Sequence, residues 1–121
     1  MICISTSAET ADELRTQIVD AAAAGDAAEV RFDYLPADER ARAVGMIASL
    51  EVGIKLIATF RSPEQGGCGN AAFEDRVRFW QSLPGETFFA ADLEEDVIGF
   101  APEHVRRIAS YHDFDGTAGG L

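Results

Sequence analysis

Cysteine is too scarce here for a disulfide framework: Cys3 and Cys68 are the only two in 121 residues, which fits a reducing compartment. Both read as small apolar fillers, buried or semi-buried, before any redox role. Basic residues are also few, 10 Lys and Arg against 21 Asp and Glu, for a formal charge of -11. A field of that sign repels phosphate backbones and anionic lipid, so neither nucleic acid nor a membrane surface is expected as a partner. No apolar run approaches the ~20 residues that span a bilayer. The opening MICISTSAETADELR has no basic segment followed by a long apolar stretch, so no signal peptide is read there. The expectation is a soluble, cytoplasmic domain.

What is present is ordinary globular material, 47% hydrophobic and 26% charged, in a length that allows one domain over residues 1–121. Short β-like runs alternate with longer helical ones. Met1 to Ser5 reads as a buried strand. Ser7 or Thr10 caps a helix running to about Ala24, with Leu14, Ile18 and Val19 on its apolar side and Gly25 ending it through a left-handed backbone. Ala28 to Phe32 is a second strand. Pro36 opens a helix with Asp38 and Glu39 in its first turn and Val44, Ile47, Ala48 and Leu50 facing inward, closed by Gly53. Ile54 to Phe60 is the third strand, and SPEQGGCGN, Ser62 to Asn70, is a loop. A helix from Ala71 to about Leu83 carries Phe73, Val77 and Trp80 at helical spacing. Thr87 to Asp92 is a fourth strand, a short helix lies near Glu103 to Arg106, and Ile108 to Tyr111 is a fifth strand.

Such alternation implies parallel strands joined by helical crossovers. Either an open doubly wound sheet or a closed (β/α)8 barrel of the TIM type fits. A full barrel takes ~250 residues, so this chain would supply about half of one, roughly β1–β5.

In parallel α/β folds the working residues sit at the C-terminal ends of strands. Those ends are polar here. The second strand carries Glu29, Arg31 and Asp33, which share one face by alternation. The third ends in Thr59 and Arg61, the fourth in Asp92 and Glu94, and the fifth runs into His112 and Asp113. Two readings stay open. The charges form a salt-bridged layer inside the barrel, or they line a pocket for a small, oxygen-rich anionic ligand, arginine holding oxygen acceptors and carboxylates holding hydroxyls. His112 sits in SYHDF and titrates near neutral pH, which suits proton transfer; His104 reads as a surface residue. A hard-cation site from Asp92, Glu94, Glu95, Asp96, His112 and Asp113 is a third possibility, but that spacing matches no closed metal motif, and no metal is expected.

The segments EVRFDYL (Glu29 to Leu35), TFRSPEQGG (Thr59 to Gly67), ADLEED (Ala91 to Asp96) and SYHDFDGT (Ser110 to Thr117) resemble, in order, those of type I 3-dehydroquinate dehydratases. The opening ICIS also fits the first strand of that family. The resemblance implies a (β/α)8 barrel of the shikimate pathway. Such a barrel dehydrates 3-dehydroquinate to 3-dehydroshikimate, without metal or other cofactor, through an imine between a lysine and the substrate ketone. On this resemblance His112 matches the catalytic histidine, and Glu29 and Arg61 match residues that bind substrate hydroxyls. Arg31 supports that shell, and Asp92 and Glu94 match an acidic pair behind it.

Two departures follow from the same comparison. Gln65 stands where the family loop carries a glutamate that interacts with the histidine; Glu64 lies one residue earlier. A glutamine can hydrogen-bond imidazole but cannot stabilise imidazolium as a carboxylate does. The chain also ends at Leu121, nine residues after His112, before the family's imine lysine. Its only lysine, Lys55, opens the third strand, away from the strand ends, and reads as a surface residue. The resemblance therefore leads to a dehydratase whose 121 residues lack the imine amine. The alternative is an inactive half-barrel that binds small polyhydroxy acids or assembles with a partner half. Unpaired strand edges and an uncovered apolar barrel face lead to the expectation of a homo-oligomer or a complementary C-terminal half.

Overall fold

The computed structural model describes residues 2–63, 67, 72–83, 87–100 and 106–110. Five strands, β1 (Cys3–Ser5), β2 (Ala27–Arg31), β3 (Lys55–Thr59), β4 (Ala90–Glu94) and β5 (Arg106–Ser110), form one parallel sheet in the order β1-β2-β3-β4-β5. Helix α1 (Ala11–Ala24) joins β1 to β2, α2 (Ala37–Ser49) joins β2 to β3, and α3 (Phe73–Ser82) joins β3 to β4. A doubly wound sheet reverses its strand order at a switch point. This one never reverses, which is the order of a (β/α)8 barrel carried through five of its strands.

Local chemistry accounts for the elements. Thr10 caps α1, its hydroxyl oxygen accepting the Glu13 N–H at 3.1 Å. Pro36, with its φ of -65°, leads directly into α2. Between strands the side chains divide by parity. Ala28, Val30, Leu56, Ala58, Ala91 and Leu93 point one way and join Leu14, Ile18, Ala43, Ile47 and Trp80 of the helices in one apolar core. Phe79 of α3 stacks at 4.5 Å on Phe32, 5.2 Å on Phe60 and 5.0 Å on Trp80. The pairs with Phe32 and Phe60, which lie outside α3, each contribute about 0.5–1.5 kcal/mol beyond area burial and help seat the helix. The opposite parity, Ser5, Glu29, Arg31, Thr59 and Asp92, forms the other face.

Several expectations shift. Among the described side chains, the face opposite the core carries Ser5, Glu29, Arg31, Lys55, Thr59, Asp92 and Glu94, with Ile57 half-buried and Ala27 and Ala90 buried, rather than the uncovered apolar face expected. Strand β1 begins at Cys3, not Met1, and is exposed at Cys3 and Ser5 because both point to that open face. Gly25 is extended, with φ -141°, rather than left-handed. A Cβ there would be a tight fit, 3.0 Å from Ile4 Cδ1 and 3.1 Å from the Ile2 carbonyl oxygen. Helix α2 ends at Ser49, before Gly53, and buries Ala43 rather than Ala48. On α1 Val19 is exposed, and on α3 Phe73 is exposed while Arg76 and Phe79 turn inward with Trp80. Strand β4 runs two residues further than expected, to Glu94. A 3-10 turn, Glu95–Phe100, follows it, and Arg106 opens β5 rather than closing a helix.

Glu39 ties α2 to α1. Its Oε1 accepts the Ala11 N–H at 2.7 Å, meeting an unsatisfied donor in the first turn of α1, and its Oε2 pairs with Arg42 at 2.8 Å. The Ala11 N–H, and then Arg42, hold its carboxyl below the ordinary carboxylate range. A depressed folded-state pKa adds stability above the unfolded value, and that stability is lost as pH falls through the folded one. Glu39→Gln is therefore expected to lower the urea midpoint at neutral pH, with the gap to the parent closing as the medium becomes acid. A gap independent of pH would mean the carboxylate charge plays no part.

Candidate active site

The polar face is knitted by carboxylates that each reach across to a neighbouring strand. Glu29, in the middle of β2, accepts the Ser5 hydroxyl of β1 at 2.8 Å on Oε1 and the Thr59 hydroxyl of β3 at 2.9 Å on Oε2. Thr6, just past β1, donates its hydroxyl to the Glu29 carbonyl and accepts the Arg31 N–H. The parallel register sets Ser5 beside Glu29 and Arg31 beside Thr59, which is why side chains distant in sequence meet here.

Arg31 turns to Asp33 in a two-pronged pair, Nε to Oδ1 at 2.9 Å and Nη2 to Oδ2 at 2.7 Å. That hydrogen-bonded pair raises the arginine above its ordinary value, and its guanidinium stacks 5.1 Å over the Tyr34 ring. Asp33 also accepts the Arg61 backbone N–H at 3.4 Å. Arg61, two residues past β3, extends along the same face to Asp92, Nη2 to Oδ2 at 2.9 Å.

Glu94, the last residue of β4, is buried and receives three donors. Ser62 gives its N–H at 2.9 Å and its hydroxyl at 3.1 Å, and Arg76 of α3 gives Nη1 at 3.0 Å. Arg76 forks on to Asp96 at 2.7 Å through Nη2. A buried carboxylate is tolerated where its oxygens are this fully met. The loop returns to the same point, since Gly67 donates its N–H to the Ser62 carbonyl at 2.8 Å.

Of the residues singled out in the sequence, Glu29, Arg31, Arg61, Asp92 and Glu94 thus stand together at the C-terminal half of the sheet. His112 and Gln65 lie outside the described residues, as do Glu64, Cys68, His104 and Asp113. The salt-bridged layer and the polar pocket are not exclusive, because Arg31 and Arg61 are paired yet remain on the open face. Asp92, Glu94 and Asp96 are engaged by arginine, and among the described residues no group of three or more His, Cys, Asp or Glu is arranged to hold a metal. Nor, among them, is any helix long and apolar enough to cross a membrane. Lys55 is exposed at the opening of β3, its ammonium 4.5 Å over the Phe89 ring. The sequence reading missed Ser5, Ser62 and Arg76. Arg76 had a signal: it shares the 76, 79, 80, 83 spacing of the buried face of α3, where an unpaired charge is not tolerated.

The family model for type I 3-dehydroquinase matches residues 2–120. The chain belongs to the type I 3-dehydroquinase family. A 3-dehydroquinate dehydratase of Methanopyrus kandleri is 28% identical over 123 residues, covering 97% of this chain and 55% of that protein. A type I 3-dehydroquinate dehydratase from Clostridium difficile, solved with covalently modified comenic acid, superposes with a TM-score of 0.72 at 22% identity. That match covers 92% of this chain and 50% of the other, and it establishes the fold. The chain spans about half the length of the relatives it matches.

Gly67 offers a direct test of the site's frame. A Cβ there would lie 2.2 Å from the Arg61 carbonyl oxygen and 2.7 Å from that of Ser62, both backbone atoms. Gly67→Ala is expected to break the Ser62–Gly67 hydrogen bond and cost about 1–3 kcal/mol in urea unfolding. An unchanged midpoint would mean the loop does not return to Ser62.

Proposed function

We propose that the protein to which this chain belongs is a 3-dehydroquinate dehydratase, converting 3-dehydroquinate to 3-dehydroshikimate, and that residues 1–121 supply the first strands of its barrel and site. The observation that carries the reading is the family match over residues 2–120. The open face of carboxylate, guanidinium and hydroxyl groups supports it, because a polyhydroxy acid needs both acceptors for its hydroxyls and donors for its oxygens.

The chemistry runs through a protonated imine, which draws electrons from the adjacent carbon so that a mild base removes a proton there and the hydroxyl one carbon further leaves as water. His112 moves these protons. Glu29 and Arg61 hold substrate hydroxyls, Arg31 braces them through Asp33, Asp92 orients Arg61, Glu94 holds the chain at Ser62, and Gln65 hydrogen-bonds His112. Lys55 opens β3, at the opposite strand end from Arg61, so the imine amine comes from the part of the barrel that these residues do not span. The same geometry favours a second reading, in which this chain binds polyhydroxy acids without turnover. Strands β1 and β5 each pair on one side only among the described residues, and a complementary half or a second copy covers them.

The test is the ultraviolet absorbance of the conjugated enone formed from 3-dehydroquinate. The 121-residue chain alone is expected to give none. Fusion to the part of the Methanopyrus relative that lies beyond the match is expected to give turnover and a borohydride-trapped imine, with His112→Ala reducing the rate by about 10²–10⁴-fold. A folded fusion without enone would sink the dehydratase reading. Turnover by the unfused chain, abolished in Lys55→Arg, would move the imine to Lys55.

A further inference from the structure

We propose that Arg76 is a positioning residue: through Glu94 it fixes Ser62, and so sets where Arg61 leaves β3 and where Gly67 meets the Ser62 carbonyl. The functional half of this inference rests on the dehydratase reading.

The argument begins with burial. The Arg76 and Glu94 side chains are each 4% exposed, and ionised partners so far from water are retained only with each other. Arg76 is the one guanidinium on Glu94 among the described residues, and the other donors to Glu94 come from Ser62. Ser62 is therefore held by a carboxylate that is itself held by Arg76. Three things depend on the placement of Ser62: the side chain of Arg61 immediately before it, the carbonyl that accepts Gly67, and the backbone at Arg61 and Ser62 against which Gly67 packs without room for a Cβ. Asp92 reaches Arg61 from the same strand, two residues before Glu94. The two acids of β4 thus govern the exit of β3 together, Asp92 by side chain and Glu94 by main chain.

Asp96 completes the device from the solvent side. Its side chain is 48% exposed and takes both Arg76 Nη1, at 3.1 Å, and Nη2, at 2.7 Å. With Asp96 on one side and Glu94 on the other, the planar fork of Arg76 has its direction set, which a lysine could not reproduce. Asp96 also lies in the turn after β4, so the clamp joins α3, the end of β4 and the start of the β3–α3 loop.

Two variants test this in the 121-residue chain. Arg76→Lys keeps a charge but loses the fork. Arg76→Met with Glu94→Gln removes both charges and so avoids an unpaired buried ion. Amide hydrogen exchange at Ser62 and Gly67 is followed by NMR, with Leu56, Ala58 and Leu93 as controls for global opening. The expected result is exchange at Ser62 and Gly67 faster by about tenfold or more, with the strand controls unchanged and Arg76→Lys intermediate. Exchange that rises only in step with the controls, or does not rise, would reduce Arg76 to a packing role. In the active fusion the same variants are expected to raise KM about tenfold with a smaller fall in kcat, because Ser62 directly follows Arg61 whereas Gln65 lies three residues further on. An unchanged KM in a fusion that turns over also overturns the proposal. A parent fusion with no turnover removes the dehydratase reading instead, and the exchange data then decide the positioning claim alone.

Discussion

A carboxylate removed from water must find donors for its oxygens or take up a proton. Glu94 meets that condition by drawing three elements to one point: the end of β4, Ser62 three residues past β3, and the inner face of α3. Glu29, half-buried further back along the sheet, also ties strands together, binding β1 and β3 to β2 through two hydroxyls. Because each acid lies on one strand and its donors on another, these contacts also set the lateral order of side chains along the open face.

The period of a strand makes this arrangement compatible with a stable sheet. Alternate residues enter the core with the helices, while the intervening ones are free to be charged. Val30 and Leu93 are fully buried beside Glu29 and Glu94 in sequence without conflict. A one-residue slip in β2 would turn Glu29 and Arg31 into the aromatic and aliphatic core and expose Val30, so the apolar side and the polar side enforce each other's register.

Alternation of strand and helix was legible, and so was the polarity of the strand ends. The resemblance carried by EVRFDYL, TFRSPEQGG, ADLEED and SYHDFDGT led to the right family. Less was legible where a local signal had two outlets. Phe88 and Phe89 read as strand residues, yet Phe88 packs on Phe32 from before β4 and Phe89 stacks beneath Lys55, which moves the strand on to Glu94. On α3 Phe73 and Phe79 are equally aromatic, and only the sheet beneath the helix selects Phe79. Gly25 looked like a left-handed terminator, whereas its backbone is extended and it packs tightly against Ile2 and Ile4.

Which groups meet could not be read in one dimension. Arg31 pairs with Asp33 not through strand alternation, as the sequence suggested, but because β2 ends at Arg31 and a 3-10 turn, Phe32–Tyr34, carries Asp33 back to it. Arg61 with Asp92, and Arg76 with Glu94, join positions 31 and 18 residues apart, and the distances follow from parallel pairing and from the seating of α3. By itself the sequence determined the parallel α/β class and the chemical character of the strand ends, because these depend on periodicity and residue type, and its motif resemblance pointed to the family and the barrel. The tertiary structure alone decided the pairing of each charge and the buried clamp at Ser62, because a hydrogen bond requires two groups within about 3 Å of each other, and only the folded sheet brings them there.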